Sequence, residues 1–273
     1  MSYPVSRLVL GRLALAALLA CGLTACQPPA PKPVAPEDAA AAALEARGYT
    51  HAPAITSVAA SNPGFIVIGG DAPADSRVRF AFADSLKGGA QAVGVTADGQ
   101  GHFHAEVPVT AAGGLYDVTV DDGGRPRQAE GRLFVPPGRP DKAVLMRPGA
   151  PSRLLQPGAL GVMVADYDAA GAFAVSGRVA PDADVTVMVN DEIRAQVHSD
   201  AKGDFDAETQ VPPPGPEPQA VTVVVQAAKA SFRRDLQVVN PSAGDYVTPI
   251  TAGWRADWKL PGGGGQSTVV FAP

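Results

Sequence analysis

From Ile55 to Val239 the apolar residues come in short runs that alternate with polar ones and are broken by Gly, Pro, Asp or Asn. A period of two places alternate side chains on opposite faces, so each run fits a half-buried β-strand. The pattern predicts seven strands between Ile55 and Val135 and eight more between Ala143 and Val239, with turns about every 8–12 residues, the spacing of a β-sandwich. Pro136-Pro137-Gly138-Arg139-Pro140 separates the two sets. The fold expected is all-β: two tandem sandwiches over 54–137 and 138–240.

The two sets repeat each other. Gly69-Gly70-Asp71-Ala72-Pro73 before Val78-Arg79-Phe80 parallels Gly177-Arg178-Val179-Ala180-Pro181 before Val185-Thr186-Val187, 108 residues on. Asp98, Gly101, Phe103, Ala105 and Glu106 match Asp200, Gly203, Phe205, Ala207 and Glu208, 102 residues on. The first set therefore holds six more residues between these landmarks, placed in the loop 84–89, where extra length costs little. Gly lets the strand leave the sheet, Pro fixes φ at a turn, and Asp-x-x-Gly makes a hairpin whose Gly takes positive φ, which points Phe103 and Phe205 inward. This series of turns and strands is similar to bacterial immunoglobulin-like domains. The resemblance implies an immunoglobulin-like fold and adhesion, spacing or partner binding; its motifs describe turns and core rather than chemistry.

Ahead of the strands, Arg7 and Arg12 precede an apolar stretch, Leu13 to Leu23, too short to span a bilayer. It closes on Leu23-Thr24-Ala25-Cys26, which resembles the lipobox of bacterial lipoproteins. The resemblance implies removal of residues 1–25 and acylation of Cys26, with three acyl chains holding the protein on a membrane. Among lipoproteins with a known sorting rule, Asp after the lipidated Cys favours the inner membrane; Gln27 stands there, which implies the outer membrane, at its periplasmic face. An ordinary secreted protein cut near Ala25, or a short anchor, would leave the chain in the same compartment. Cys21 and Cys26 are the two cysteines of the chain, so the mature domains have no disulfide available and must rest on core burial. Over 26–53, Pro28, Pro29, Pro31 and Pro33 favour polyproline II at about 3.1 Å per residue, or roughly 28 Å over nine residues, a stalk. Residues 39–47 then form either one short helix, begun by Pro36 and stopped at Gly48, or a spacer with Leu44 as its one bulky apolar group.

The tail, 241–273, holds both tryptophans. Trp254, Ala256, Trp258 and Leu260 alternate with Arg255, Asp257 and Lys259, so this run is a half-buried strand. Pro261 to Gly265 turn the chain, and Ser267 to Phe271 return as the second strand of a hairpin. A lone hairpin is marginal in water, so its aromatic face must cover something. Either Trp254 and Trp258 complete the core of the second sandwich, or they stay partly exposed and contact a partner chain or a glycan.

Catalytic patterns are absent from the sequence. His102 and His104 flank inward Phe103 and share an outer face, but neither Cys nor a second His pair completes a metal site. Asp166-Tyr167-Asp168 and Asp121-Asp122 lack the spacing of a calcium loop, and are expected to serve turns and edge strands. Gly262 to Gly265 lack the Lys of a phosphate loop, and no Gly-x-Ser-x-Gly elbow occurs. Loss of Arg7 and Arg12 would take the formal charge from −5 to −7, and with Arg233-Arg234 as the one basic pair, nucleic acid is excluded as a partner. The function expected is that of a non-catalytic envelope lipoprotein without cofactor or metal. It would act as scaffold, spacer or protein-interaction module, or alternatively bind carbohydrate or peptidoglycan through the tail aromatics.

Overall fold

A computed structural model describes residues 51–84, 89–122, 125–156, 158–242 and 244–272. Cys26, the proline-rich stretch and the helix or spacer at 39–47 lie outside the described residues. The first half contains β1 (Ala54–Ala60), β2 (Phe65–Asp71), β3 (Arg77–Asp84), β4 (Gly89–Thr96), β5 (His102–Pro108), β6 (Gly114–Asp122), β7 (Arg125–Gln128), β8 (Arg132–Val135), β9 (Val144–Met146) and β10 (Arg153–Leu154). One sheet runs β1-β2-β5; the other runs β10-β9-β8-β6-β3-β4, with β7 also on β6. Alternation decides what meets between them: Phe103, Ala105 and Val107 of β5 point inward with Ile66 and Ile68 of β2, against Val78 and Phe80 of β3. Phe80 and Phe103 meet edge-on with centroids 5.8 Å apart.

The second half contains β11 (Gly161–Asp168), β12 (Ala172–Arg178), β13 (Asp184–Val189), β14 (Glu192–His198), β15 (Asp204–Gln210), β16 (Gln219–Ala227), β17 (Ala230–Val238), β18 (Tyr246–Ile250), β19 (Gly253–Lys259) and β20 (Gly265–Phe271). Its sheets run β15-β12-β11-β20-β19-β18 and β14-β13-β16-β17. The sandwich of β1-β2-β5 with β4-β3-β6 thus recurs as β11-β12-β15 with β14-β13-β16, and the immunoglobulin-like all-β fold expected from the sequence is the fold observed. Tyr116 of β6 donates its hydroxyl to Pro108 O at 2.8 Å, the corner bond of such sandwiches.

The repeated turn works through one carboxylate oxygen. Asp98 Oδ1 accepts from the N–H groups of Gln100 and His102, both at 2.9 Å, and Asp200 Oδ1 from Lys202 at 2.8 Å and Asp204 at 2.9 Å. Asp168 Oδ1 accepts from Ala170 and Ala172 at 2.8 and 2.9 Å, so Asp168-x-x-Gly171-x-Phe173 is a third copy that the sequence comparison missed. Gly101, Gly171 and Gly203 have φ of 87°, 89° and 86°, a region that favours glycine.

The glycine before each Ala-Pro turn has a different task from the one expected. Gly70 and Gly177 stay in their strands directly opposite Phe103 and Phe205. A Cβ on Gly70 would lie 2.6 Å from the Phe103 ring and 2.1 Å from Ala54 O, and one on Gly177 2.9 Å from Phe205 and 2.1 Å from Gly161 O. Gly70, not Gly69, is therefore the counterpart of Gly177, and the offset there is 107 residues rather than 108.

Two boundaries also differ. Val144–Met146, expected in the second set, pairs with β8 in the first sandwich, and the tail is no separate hairpin, because β20 lies between β11 and β19 in the second sandwich's larger sheet. The single strand expected over 127–135 is broken at 129–131, where Gly131, lacking a side chain, admits Met146 O to within 2.2 Å of where its Cβ would stand. The strands on either side of the junction are buried on both faces. β8 and β9 send Leu133, Val135 and Leu145 into the first core while Phe134, Val144 and Met146 point away from it. These three meet Val164, Ala256, Trp258 and Val270 of β11, β19 and β20. The outer face of one sandwich thus packs on the outer face of the next, giving four sheets in layers with three apolar interiors.

Candidate functional site

Trp258 is fully buried in this seam and donates its indole N–H to Thr268 Oγ1 at 3.2 Å. Trp254, on the same face of β19, is half-buried against the same cluster. The expected contact of Trp258 with a partner or glycan is therefore corrected: its ring has no exposed face to offer. Its cover is the first sandwich rather than the interior of the second.

Beside Trp258 lies a buried polar cluster. Asp166 accepts from Ser152 N at 2.7 Å, Ser152 Oγ at 2.7 Å, Thr268 Oγ1 at 2.6 Å and Gln266 Nε2 at 3.2 Å. Burial pushes its carboxyl above the ordinary range, against the pull of these donors. Ser176 Oγ donates to Ser152 O, so the segment joining the sandwiches is held at Ser152 from two strands. Asp166 is thus a core residue, not the turn or edge residue expected; its neighbour Asp168 does serve a turn. At the rim, Arg147, just past the end of β9, reaches Pro151 O at 2.7 Å, Glu130 at 3.2 Å and Asp206 at 2.8 Å.

On the other side of the seam is a cleft divided by Arg132. Its Nε lies 2.7 Å from Asp117 Oδ1, and its second terminal nitrogen donates to Asp117 Oδ2 at 3.2 Å. Its remaining nitrogen lies 2.9 Å from Asp245 Oδ1, just before β18. Burial works against the guanidinium charge, but hydrogen bonds and charges from Asp245 and Asp117 outweigh it and raise its pKa. On one side of this bridge, Ala81, Phe82, Leu115, Tyr246 and Val247 line a cavity of about 440 Å³. On the other, Gln128, Glu130, Lys259 and Pro261 line one of about 250 Å³. Tyr246 is 59% exposed. The cleft offers fixed carboxylate acceptors, an aromatic face and apolar walls, a composition suited to binding.

Sequence reasoning did not find Arg132, Asp117, Asp245 or Tyr246. The signal available was Tyr246 itself, a large aromatic among Gly, Asp, Thr and Pro. His102 and His104 do share the outer face of the first sandwich's smaller sheet, where His102 Nδ1 lies 2.7 Å from Asp71 Oδ1. The same register position in the second sandwich holds Arg178 and Asp204, 2.8 Å apart, with the carboxylate on the opposite strand of the pair. Among the described residues no group of three or more His, Cys, Asp or Glu is placed to hold a metal ion. Asp121 lies exposed on β6. The expected lipidation site, Cys26, lies outside the described residues.

No family model matches the chain, and no curated protein matches it. Among solved structures it is similar to the BSP domain of a biofilm associated protein, at 15% identity and a TM-score of 0.24 over 71% of this chain. It is also similar to the central fibronectin-III array of RIM-binding protein, at 13% identity and a TM-score of 0.27 over 80% of this chain. The chain spans 30% of the first structure and 88% of the second.

Proposed function

We propose that this chain is a non-catalytic lipoprotein of the bacterial envelope, cut before Cys26, acylated there, and held at the periplasmic face of the outer membrane. It serves as a scaffold, spacer or protein-interaction module. The observation that carries this reading is the seam: seven buried apolar side chains join the two sandwiches, so they present one inflexible surface rather than beads on a linker. A fixed block on a proline-rich stalk suits a protein that sets distance and orientation beside a membrane. Of the two residues stated for the glycan-binding alternative, Trp258 is buried and Trp254 stays half-buried.

Fractionation of cells producing the wild type and Cys26→Ser, with mass spectrometry of the amino-terminal peptide, tests the anchor. The wild type is expected in the outer-membrane fraction with an acylated Cys26 as first residue, and Cys26→Ser in the soluble periplasmic fraction. Recovery of the wild type unacylated, or with residues 1–25 attached, contradicts it. Crosslinking in the same cells tests the module: reproducible crosslinks from the described sandwiches to an envelope protein are expected.

A further inference from the structure

We propose that the cleft divided by Arg132 is a binding site for a neutral saccharide chain. This goes beyond the scaffold role and stands independently of Cys26. Tyr246 supplies the platform: its ring lies against the backbone at Gly244, where a Cβ would come within 2.6 Å of Cε2, and with 59% of the residue exposed its open face is available to the C–H face of a sugar ring. Phe82, Leu115 and Val247 continue the apolar wall. Asp117 and Asp245 supply acceptors for hydroxyl groups. Arg132 orients both carboxylates, yet their side chains stay 44% and 40% exposed, so each keeps lone pairs for a ligand without having to be ordered on binding.

The size and charge narrow the ligand. The larger lobe, at about 440 Å³, falls within the range of small-ligand sites, and the smaller lobe continues it past the bridge, which suits successive units of a linear chain. Two carboxylates against one guanidinium leave the divide negative, which disfavours uronates and sulfated sugars. An extended peptide added to β18 fits less well, because Pro249 lies in that edge strand and has no N–H to donate to a ladder.

The full-length chain, solubilised in detergent, can be titrated by calorimetry and by heteronuclear NMR with chitotetraose, cellotetraose and maltotetraose, with tetragalacturonate as the anionic probe. Saturable binding of at least one neutral tetrasaccharide is expected, with amide shifts at Tyr246 and Asp117. Tyr246→Ala is expected to weaken it about tenfold, while Tyr246→Phe binds like the wild type. The proposal is overturned if no neutral tetrasaccharide saturates, if the shifts fall elsewhere in the wild type, if Tyr246→Ala binds unchanged, or if tetragalacturonate alone binds. Each of these results leaves the acylation test of Cys26 untouched.

Discussion

Asp166 shows how a single residue ties the junction together. Its neighbours are two hydroxyls, an amide and one backbone N–H, all donating to it inside the protein. Asp166→Ala leaves those donors buried without their acceptor, so urea unfolding is expected to show a loss of about 2–4 kcal/mol. The pH dependence follows from the direction of each shift. Burial raises the Asp166 pKa above its ordinary 3.8, so its contribution is full below that value and is lost as the pH rises through the raised folded-state value. Asp98 and Asp200 do the opposite: backbone hydrogen bonds from His102 and Asp204 lower their pKa values, so their contributions are present above the ordinary value and lost as the pH falls through the depressed ones. Urea midpoints measured across the acid range should therefore move in opposite senses for Asp166→Asn and Asp200→Asn relative to the wild type. Differences from the wild type that change with pH in the same direction for both variants would contradict these assignments.

At the scale of elements, β20 carries more than its position near the carboxyl end suggests. It separates β11 from β19, sends Val269 and Phe271 into the second core, and sends Val270 into the seam. Burial of each such side chain is worth about 1.5–3 kcal/mol, against about 5–15 kcal/mol for a whole domain. Deletion of residues 265–273 is expected to abolish cooperative unfolding by circular dichroism, and a truncated chain that melts like the wild type would refute this role. The sequence told much about the strands and little about their partners. Period-two runs placed the half-buried strands, because one wet face keeps polar residues in alternation. Leu133-Phe134-Val135, Val144-Leu145-Met146 and Val269-Val270-Phe271 break that alternation, which is the mark of strands covered on both faces, and it was the signal for the seam. β18 escaped notice because it is short and contains Pro249, as edge strands can. The Arg132 bridge to Asp245 was illegible, since it depends on sheets stacking and not on any local spacing.

For the whole molecule, the seam decides whether there are two domains or one. Phe134, Met146 and Trp258 are fully buried there, and the Arg132 and Arg147 bridges at its rim add little beside that apolar burial, since each is partly solvated. Trp258→Ala is expected to cost about 3–5 kcal/mol and to uncouple the sandwiches, so that two separate transitions replace one. Differential scanning calorimetry of the wild-type chain tests the central claim most directly. A single transition with equal calorimetric and van't Hoff enthalpies is predicted, because neither sandwich can lose its outer face without exposing the other's. Two resolved transitions in the wild type, left in place by Trp258→Ala, would show two independent modules and contradict it.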